Sequence, residues 1–156
     1  MNLFFRRIQI VFTNMLPHSD QLFTVRYADY SKNHFLKRFQ KDYPGKQWEL
    51  TDLSIRDDLA RLRMPNNTIQ QSNQIDELKH EENYWLAKYE FRVAGTNVSK
   101  KASGNRCVVF IDNKIELVEI LLIYNKTDLP KAQQETQYIF DTIKKQYSNI
   151  CDKINM

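Results

Sequence analysis

Three apolar runs in the second half of the chain, each bounded by a turn, constrain the fold more than any other feature of the sequence. In 85–93 (WLAKYEFRV), apolar residues alternate with more polar ones, and this period of two is typical of a strand with one buried face. The run 106–112 (RCVVFID) is apolar enough for a central strand, and the short connection Asn113-Lys114 leads into a third run at 115–124. These runs predict an antiparallel three-stranded meander.

The first half of the chain has a different pattern, which predicts one strand followed by two helices. The run 22–27 (LFTVRY) is rich in β-branched and aromatic residues and predicts a strand. After Ser31, which can cap a helix, aromatic residues recur every four positions until a Pro-Gly pair. Thr51 or Asp52 can cap a second helix with its own apolar stripe. Together these segments predict a helical hairpin.

The remaining segments complete a single-domain organisation. The chain has 156 residues, of which 42% are hydrophobic, and this is enough to bury one substantial core. Residues 1–21 are predicted to be an N-terminal extension, and the polar, aperiodic stretch 63–84 is predicted to be an insertion or linker outside the core. From about Lys131, apolar residues at helical spacing predict a C-terminal helix that covers the sheet. The prediction is therefore one α+β domain over 22–156.

Charge and cysteine content narrow the class of protein. Lys and Arg number 23 against 19 Asp and Glu, and the sequence pI is near 9.0, which favours an anionic partner such as nucleic acid. Cys107 and Cys151 lack CxxC spacing, which fits a reducing compartment. The opening residues lack the charge and apolar order of a signal peptide, and no window is long and apolar enough to span a bilayer. We therefore expect a cytoplasmic protein with no membrane partner.

The motifs of several enzyme classes are missing from the sequence. It has no GxxxxGK[ST] or GxGxxG loop, no GxSxG elbow and no HExxH helix. His18, His34 and His80 are dispersed, and Cys107 lies within an apolar run, as a core side chain would. We expect no metal and no small-molecule cofactor.

What the sequence does offer is a set of ionisable residues predicted on the sheet. Strand alternation places Lys88, Glu90 and Arg92 on one face, Arg106 opens the next strand, and Tyr124 and Lys126 share one face at the end of the third. Two interpretations fit this pattern. It is either the solvated face of an antiparallel sheet, or a site for phosphate, which guanidinium groups bind bidentately.

The order of the elements and the stretch GNRCVVFIDNKIELVEILLIYNKTDL resemble the RelE/ParE superfamily of bacterial toxins. Members pair a helical hairpin with an antiparallel sheet and carry a Gly-x-Arg strand start, followed by a strand that ends in basic residues. The resemblance matches Arg106 to the Arg of that motif and Lys126 to a frequent catalytic position. It places Lys88 and Arg92 in a strand that bears basic residues and matches Tyr124 more loosely. Tyr138 is expected in the core rather than as a catalytic tyrosine.

The resemblance implies a toxin of a toxin–antitoxin pair that acts as a metal-independent endoribonuclease on mRNA, on or off the ribosome, with a cognate antitoxin as partner. In that chemistry Arg92 and Arg106 would stabilise charge on the phosphate, and Lys88 or Glu90 would act as base. Lys126 or Tyr124 would act as acid. The loop lysines Lys100 and Lys101 would bind RNA. The alternatives are a non-catalytic binder, either a ParE-type gyrase inhibitor or an inactive relative, and an accessory RNA-binding domain.

Overall fold

The structure is a computed structural model that describes residues 22–64, 68–69 and 74–156. The predicted extension 1–21 lies outside these residues. The described part of the chain is a mixed α+β fold, as predicted, built on one five-stranded sheet. Its strands are β1 (Thr24–Tyr27), β2 (Ile75–Glu81), β3 (Tyr84–Phe91), β4 (Asn105–Asp112) and β5 (Leu117–Asn125).

The sheet has the strand order β1-β5-β4-β3-β2. Strands β2 to β5 form an antiparallel meander, whereas β1 lies parallel to β5, with Thr24 opposite Leu117. The central strand β4 is buried along its whole length, because it has a neighbouring strand on each side and helices on each face. This explains why its sequence is a nearly continuous apolar run rather than an alternating one.

Helices cover both faces of the sheet. A single helical turn, Asp29–Ser31, and a kinked helical segment, Lys32–Leu36, lead into α1 (Lys37–Asp42) and α2 (Lys46–Ala60). Phe39, Ile55 and Leu59 pack with the β3 and β4 side chains of one face. On the opposite face, α3 (Glu135–Gln146) and α4 (Ser148–Ile154) bury Ile139, Ile143 and Ile150. The fold therefore has two apolar cores, one on each side of the sheet.

The prediction for 63–84 is wrong for most of its described residues. Ile75–Glu81 forms β2, which pairs antiparallel with β3, so the meander has four strands rather than three. Ile69 and Ile75 are buried in the core cluster. The strand escaped prediction because β2 is an edge strand, and an edge strand with mostly solvated side chains keeps few apolar residues.

The two helix starts also differ from prediction. The first helical turn begins at Asp29, and the Ser31 hydroxyl donates to the Ala28 carbonyl at 2.6 Å instead of capping the helix. The second helix begins at Lys46 directly after Gly45, so Thr51 lies inside it. Gly45 has φ 67°, a left-handed conformation that lets the chain reverse between α1 and α2. Across the described ranges, no helix has both the length and the apolar character needed to cross a membrane.

Candidate functional site

One end of the sheet gathers the ionisable residues that the sequence singled out. Because β3 and β5 run in the same direction, both finish at this end, and β4 begins there: Phe91, Asn105 and Asn125 are aligned across the three strands. We call this the cationic end. The predicted residues that lie on it or near it are Lys88, Glu90, Arg92, Lys100, Lys101, Arg106, Tyr124 and Lys126.

Three of these residues converge on Glu135, the first residue of α3. The Tyr124 hydroxyl donates to Glu135 Oε1 at 2.9 Å. Lys88 Nζ and Lys126 Nζ lie 3.7 Å and 3.8 Å from Glu135 Oε2. We call Lys88, Tyr124, Lys126 and Glu135 the Glu135 cluster. It combines one carboxylate, one phenol and two ammonium groups on the sheet face that α3 covers.

Local sequence explains how Glu135 comes to lie there. After β5, the Asn125 side chain accepts a hydrogen bond from the Thr127 amide at 3.0 Å, and Asp128 Oδ2 accepts one from the Asn125 amide at 2.6 Å. This reciprocal capping closes a short helical turn, Lys126–Asp128. The chain then reverses through Pro130 and enters α3 with Glu135 in its first turn, where the helix dipole stabilises a carboxylate.

The lysines of the Glu135 cluster are not locked to the carboxylate. Their distances to Oε2 exceed the range of a direct hydrogen bond, so each ammonium group keeps donors for another acceptor. The side chains of Lys88 and Glu135 are 17% and 20% exposed, and that of Lys126 is 51% exposed. Lys88 also lies 3.9 Å from Asp76 on β2. Glu135 is thus partly shielded from water and can still be reached from the Lys126 side.

Tyr124 is a hydrogen-bond donor rather than an acid in this arrangement. Burial of the ring and the neighbouring Glu135 carboxylate raise the pKa of Tyr124 far above its ordinary value, although the Arg106 charge opposes this. A phenol that resists ionisation is a poor proton donor in catalysis. The geometry therefore favours a role for Tyr124 in orienting Glu135 and argues against its predicted role as acid.

Arg106 and Glu90 form an ion pair in the interior. They are opposite residues of β4 and β3, with Arg106 Nη2 3.0 Å from Glu90 Oε1, and their side chains are only 2% and 9% exposed. Arg106 also donates to the carbonyls of Asn105 at 2.9 Å and Lys101 at 3.2 Å. The expectation of a guanidinium held open for phosphate, and of Glu90 as a base, does not fit this burial. Arg106 instead holds the β3–β4 loop against the sheet.

The other predicted cations divide into one that is engaged and two that face solvent. Lys100 Nζ lies 2.7 Å from Asp58 Oδ2 and 3.0 Å from Gln74 Oε1, so its charge is largely compensated. Lys101 is exposed. Arg92 is exposed at the first position after β3 and forms no hydrogen bond or ion pair with any residue of the described ranges. Of these three, Arg92 and Lys101 remain available to an anion.

His34 is a buried polar residue that sequence reasoning set aside. Its Nδ1 lies 3.0 Å from the Ile123 carbonyl, and its Nε2 lies 2.9 Å from the Tyr138 hydroxyl. Since a carbonyl only accepts, Nδ1 carries the proton and Nε2 accepts from Tyr138. Burial lowers the pKa of His34. The adjacent Phe35 has φ 59°, a strained conformation for a bulky residue, so the local backbone is held in place by these tertiary contacts.

Neither His34 nor Glu135 had a recognisable signal in the sequence. The partners of His34 are 89 and 104 positions away, and no local spacing links them. In the sequence, Glu135 follows a polar stretch and has the pattern of an ordinary acidic residue at the start of a helix. Their importance emerges only when β5 and α3 come together.

Cys107 is completely buried, and burial raises the pKa of its thiol far above the ordinary value, which agrees with a core side chain rather than a nucleophile. Within the described ranges, no group of at least three His, Cys, Asp or Glu side chains is arranged to hold a metal ion.

Comparisons with known proteins add nothing to this geometry. No protein-family model, curated protein or solved structure matches the chain. The resemblance to the RelE/ParE superfamily therefore rests on the sequence stretch and element order given above.

Proposed function

We propose that this protein is a metal-independent endoribonuclease that cuts mRNA, the toxin of a toxin–antitoxin pair. The observation that carries the proposal is the convergence of Lys88, Lys126 and Tyr124 on Glu135. A partly shielded carboxylate beside two cations at the cationic end supplies both proton transfer and charge stabilisation. The resemblance to RelE/ParE toxins supports the choice of RNA as substrate and the expectation of an antitoxin.

The reaction assigned to the cluster is cleavage by the neighbouring ribose. The 2′-oxygen of RNA forms a bond to the adjacent phosphorus as its proton passes to Glu135 Oε2, and the bond from phosphorus to the 5′-oxygen breaks. The products are a 2′,3′-cyclic phosphate and a 5′-hydroxyl, whose proton comes from a lysine ammonium group. Tyr124 holds the other carboxylate oxygen, which fixes the direction from which Oε2 accepts.

The two lysines have different environments and so different tasks. Lys126 is the more exposed and follows the end of β5, where it can contact the scissile phosphate and offset its extra negative charge. Lys88 lies deeper, between Asp76 and Glu135. Its ammonium group places a positive charge beside the Glu135 carboxylate and is the one assigned to protonate the leaving 5′-oxygen.

The experiment is a cleavage assay on folded variants. A labelled mRNA is incubated in translation extract and in buffer with EDTA, and the new ends are tested for cyclic phosphate. Glu135→Gln keeps the shape and the Tyr124 contact but cannot accept the proton, so cleavage should fall at least about 100-fold. Lys126→Met should also lose most activity.

Lys145→Met is the matched control, because Lys145 is an exposed lysine near the other end of α3. It should cleave at the parent rate. Parent protein that cleaves nothing in extract or buffer would overturn the proposal, as would Glu135→Gln cleaving at the parent rate.

A non-catalytic binder is the second candidate, and one observation favours it. Arg106 is committed to Glu90, and Lys100 to Asp58, so the cations do not all converge on one phosphate. A ParE-type gyrase inhibitor, an inactive relative and an accessory RNA-binding domain all belong to this class. Growth arrest that persists in Glu135→Gln and Lys126→Met, without any RNA cleavage, would support inhibition by binding.

The cognate antitoxin gives a separate test of the toxin assignment. Co-expression with the neighbouring gene should relieve growth arrest and yield a co-purifying complex. An antitoxin segment is expected to be amphipathic, as helix-in-groove partners are. A solitary protein that is stable and harmless to its host would argue against the toxin role.

A further inference from the structure

A pocket of about 360 Å³ lies between α2 and the end of β3. Ile55 and Phe91 contribute apolar walls, and Ser54, Arg92 and Lys100 contribute polar groups at its lining. Gly95, with φ 80° and open space where a Cβ would stand, shapes one side. The volume falls within the range of small-ligand sites, which are mostly apolar with a few convergent polar groups.

Two of the polar groups in this pocket are available to hydrogen-bond to a ligand. Within the described ranges, neither the Ser54 hydroxyl nor the Arg92 guanidinium forms a hydrogen bond. Lys100, in contrast, is held by Asp58 and Gln74. The pocket therefore offers one guanidinium fork for an anion and one hydroxyl for a neutral polar group, above an apolar wall. A nucleotide has all three complementary parts.

The pocket also lies close to the Glu135 cluster. Arg92 is the first residue after β3, and Lys126 is the first after β5, at the same end of the sheet. Only β4 separates the two strands, so two strand spacings put the backbones at these positions roughly 10 Å apart. A single RNA strand that crosses the sheet end can therefore meet both cations with neighbouring phosphates.

We propose that this pocket binds one nucleotide of the RNA strand, flanking the scissile phosphate, with its phosphate on Arg92 and its base against Ile55 and Ser54. The assignment rests on the proposed ribonuclease function, whose cleavage chemistry lies at Glu135. It adds a substrate-positioning site on the opposite side of the sheet end. Arg92 thereby retains a phosphate role that Arg106, buried in its ion pair, does not have.

The test measures RNA binding separately from cleavage. In the full chain carrying Glu135→Gln, Ser54→Trp fills the pocket from the exposed side of α2. Leu53→Trp is the matched control, because Leu53 is the neighbouring residue, is 57% exposed and does not line the pocket. Binding of a fluorescent single-stranded RNA is measured by anisotropy, and mixed 5′-mononucleotides are tested as competitors.

Ser54→Trp, which fills the pocket, and Arg92→Ala, which removes a charged hydrogen-bonding group, should each weaken RNA binding about tenfold or more, while Leu53→Trp binds like its parent. Competition by mononucleotides at millimolar concentration would show that the pocket accepts a free nucleotide as well as an RNA-borne one. Unchanged RNA binding in Ser54→Trp, or no RNA binding by the parent, overturns the subsite. If the pocket variants weaken binding but the wild-type chain never cleaves, the subsite stands and the ribonuclease proposal fails.

Discussion

Arg106 and Glu90 form a buried ion pair across β4 and β3, with Nη2 and Oε1 3.0 Å apart. Glu90 Oε2 and Arg106 Nε have no hydrogen-bond partner within the described ranges, so the pair is not fully satisfied. Such a pair contributes little net stability over an apolar pair, yet breaking it leaves one charge alone in the interior. The pair therefore makes the β3–β4 loop depend on an electrostatic contact.

Arg106→Ala should lower the free energy of unfolding by about 3–5 kcal/mol, because Glu90 would be left buried and uncompensated. Exposed Arg63 gives the control, and Arg63→Ala should change stability by no more than about 0.5 kcal/mol. The double variant Arg106→Met/Glu90→Leu should recover most of the loss. Chemical denaturation measures the free energy of unfolding of all three variants. If Arg106→Ala matched the control in stability and still lost RNA cleavage, the phosphate role predicted from sequence would be restored.

Those parts of the fold that leave a pattern within one short segment could be predicted from the sequence. Alternation in 85–93 and the apolar run 106–112 correspond to β3 and β4, because strands with strongly buried faces leave a clear pattern. β2 was missed because the only residue of the strand that is fully buried is Ile75. The parallel pairing of β1 with β5 joins segments about ninety positions apart and has no local signal.

The same distinction between local pattern and tertiary packing decides which site residues could be predicted from the sequence. Lys88, Tyr124 and Lys126 were predicted because strand alternation and the end of β5 place them on one face at one end. Glu135 was missed because α3 brings it there through packing of Ile139 and Ile143 on the sheet. Arg106 was misjudged because alternation gives the face of a residue but not its burial, and α3 and α4 cover that face.

A second prediction concerns β2. Ile75 is 3% exposed within the core, so Ile75→Ala should lower the free energy of unfolding by about 2–5 kcal/mol. Glu77→Ala at an exposed position of the same strand should change it by no more than about 0.5 kcal/mol. Replacing 63–84 by a short Gly/Ser link should destabilise the fold more than either. Unfolding that stays cooperative and unshifted after this replacement would instead support the insertion predicted from sequence.

A third prediction separates orientation from stability at Tyr124. Tyr124→Phe removes the donor to Glu135 Oε1, so cleavage should fall about tenfold, and the free energy of unfolding should fall by about 1 kcal/mol. Tyr147→Phe is the control, because its hydroxyl donates to the Leu121 carbonyl at 2.7 Å on the same face, away from Glu135. It should lose comparable stability and keep full cleavage. Equal cleavage rates for the two variants would show that Tyr124 does not orient Glu135 for catalysis.

His34 ties together the two elements that carry the Glu135 cluster. It contacts the carbonyl of Ile123, the residue before Tyr124, and the hydroxyl of Tyr138, one turn after Glu135. The rings of Tyr30 and Tyr124 also face it. A protonated His34 would place a charge in this aromatic setting and would turn the acceptor Nε2 into a donor. The contact between β5 and α3 is therefore built for the neutral imidazole.

The fourth prediction is a pH dependence that follows from this contact. Burial lowers the pKa of His34 in the folded state, and the Ile123 carbonyl and the Asp128 carboxylate only partly oppose it, so the unfolded chain binds the proton more readily than the folded chain. Stability from this group is complete above the ordinary histidine pKa of about 6.5 and is lost as pH falls below it, by up to about 1.4 kcal/mol per pH unit. His34→Gln should be less stable at about pH 8 and should lose less on acidification to about pH 5.5. Denaturant unfolding of the parent and of this variant at both pH values gives the comparison. An equal loss on acidification in both proteins would show that His34 does not set the acid sensitivity of the fold.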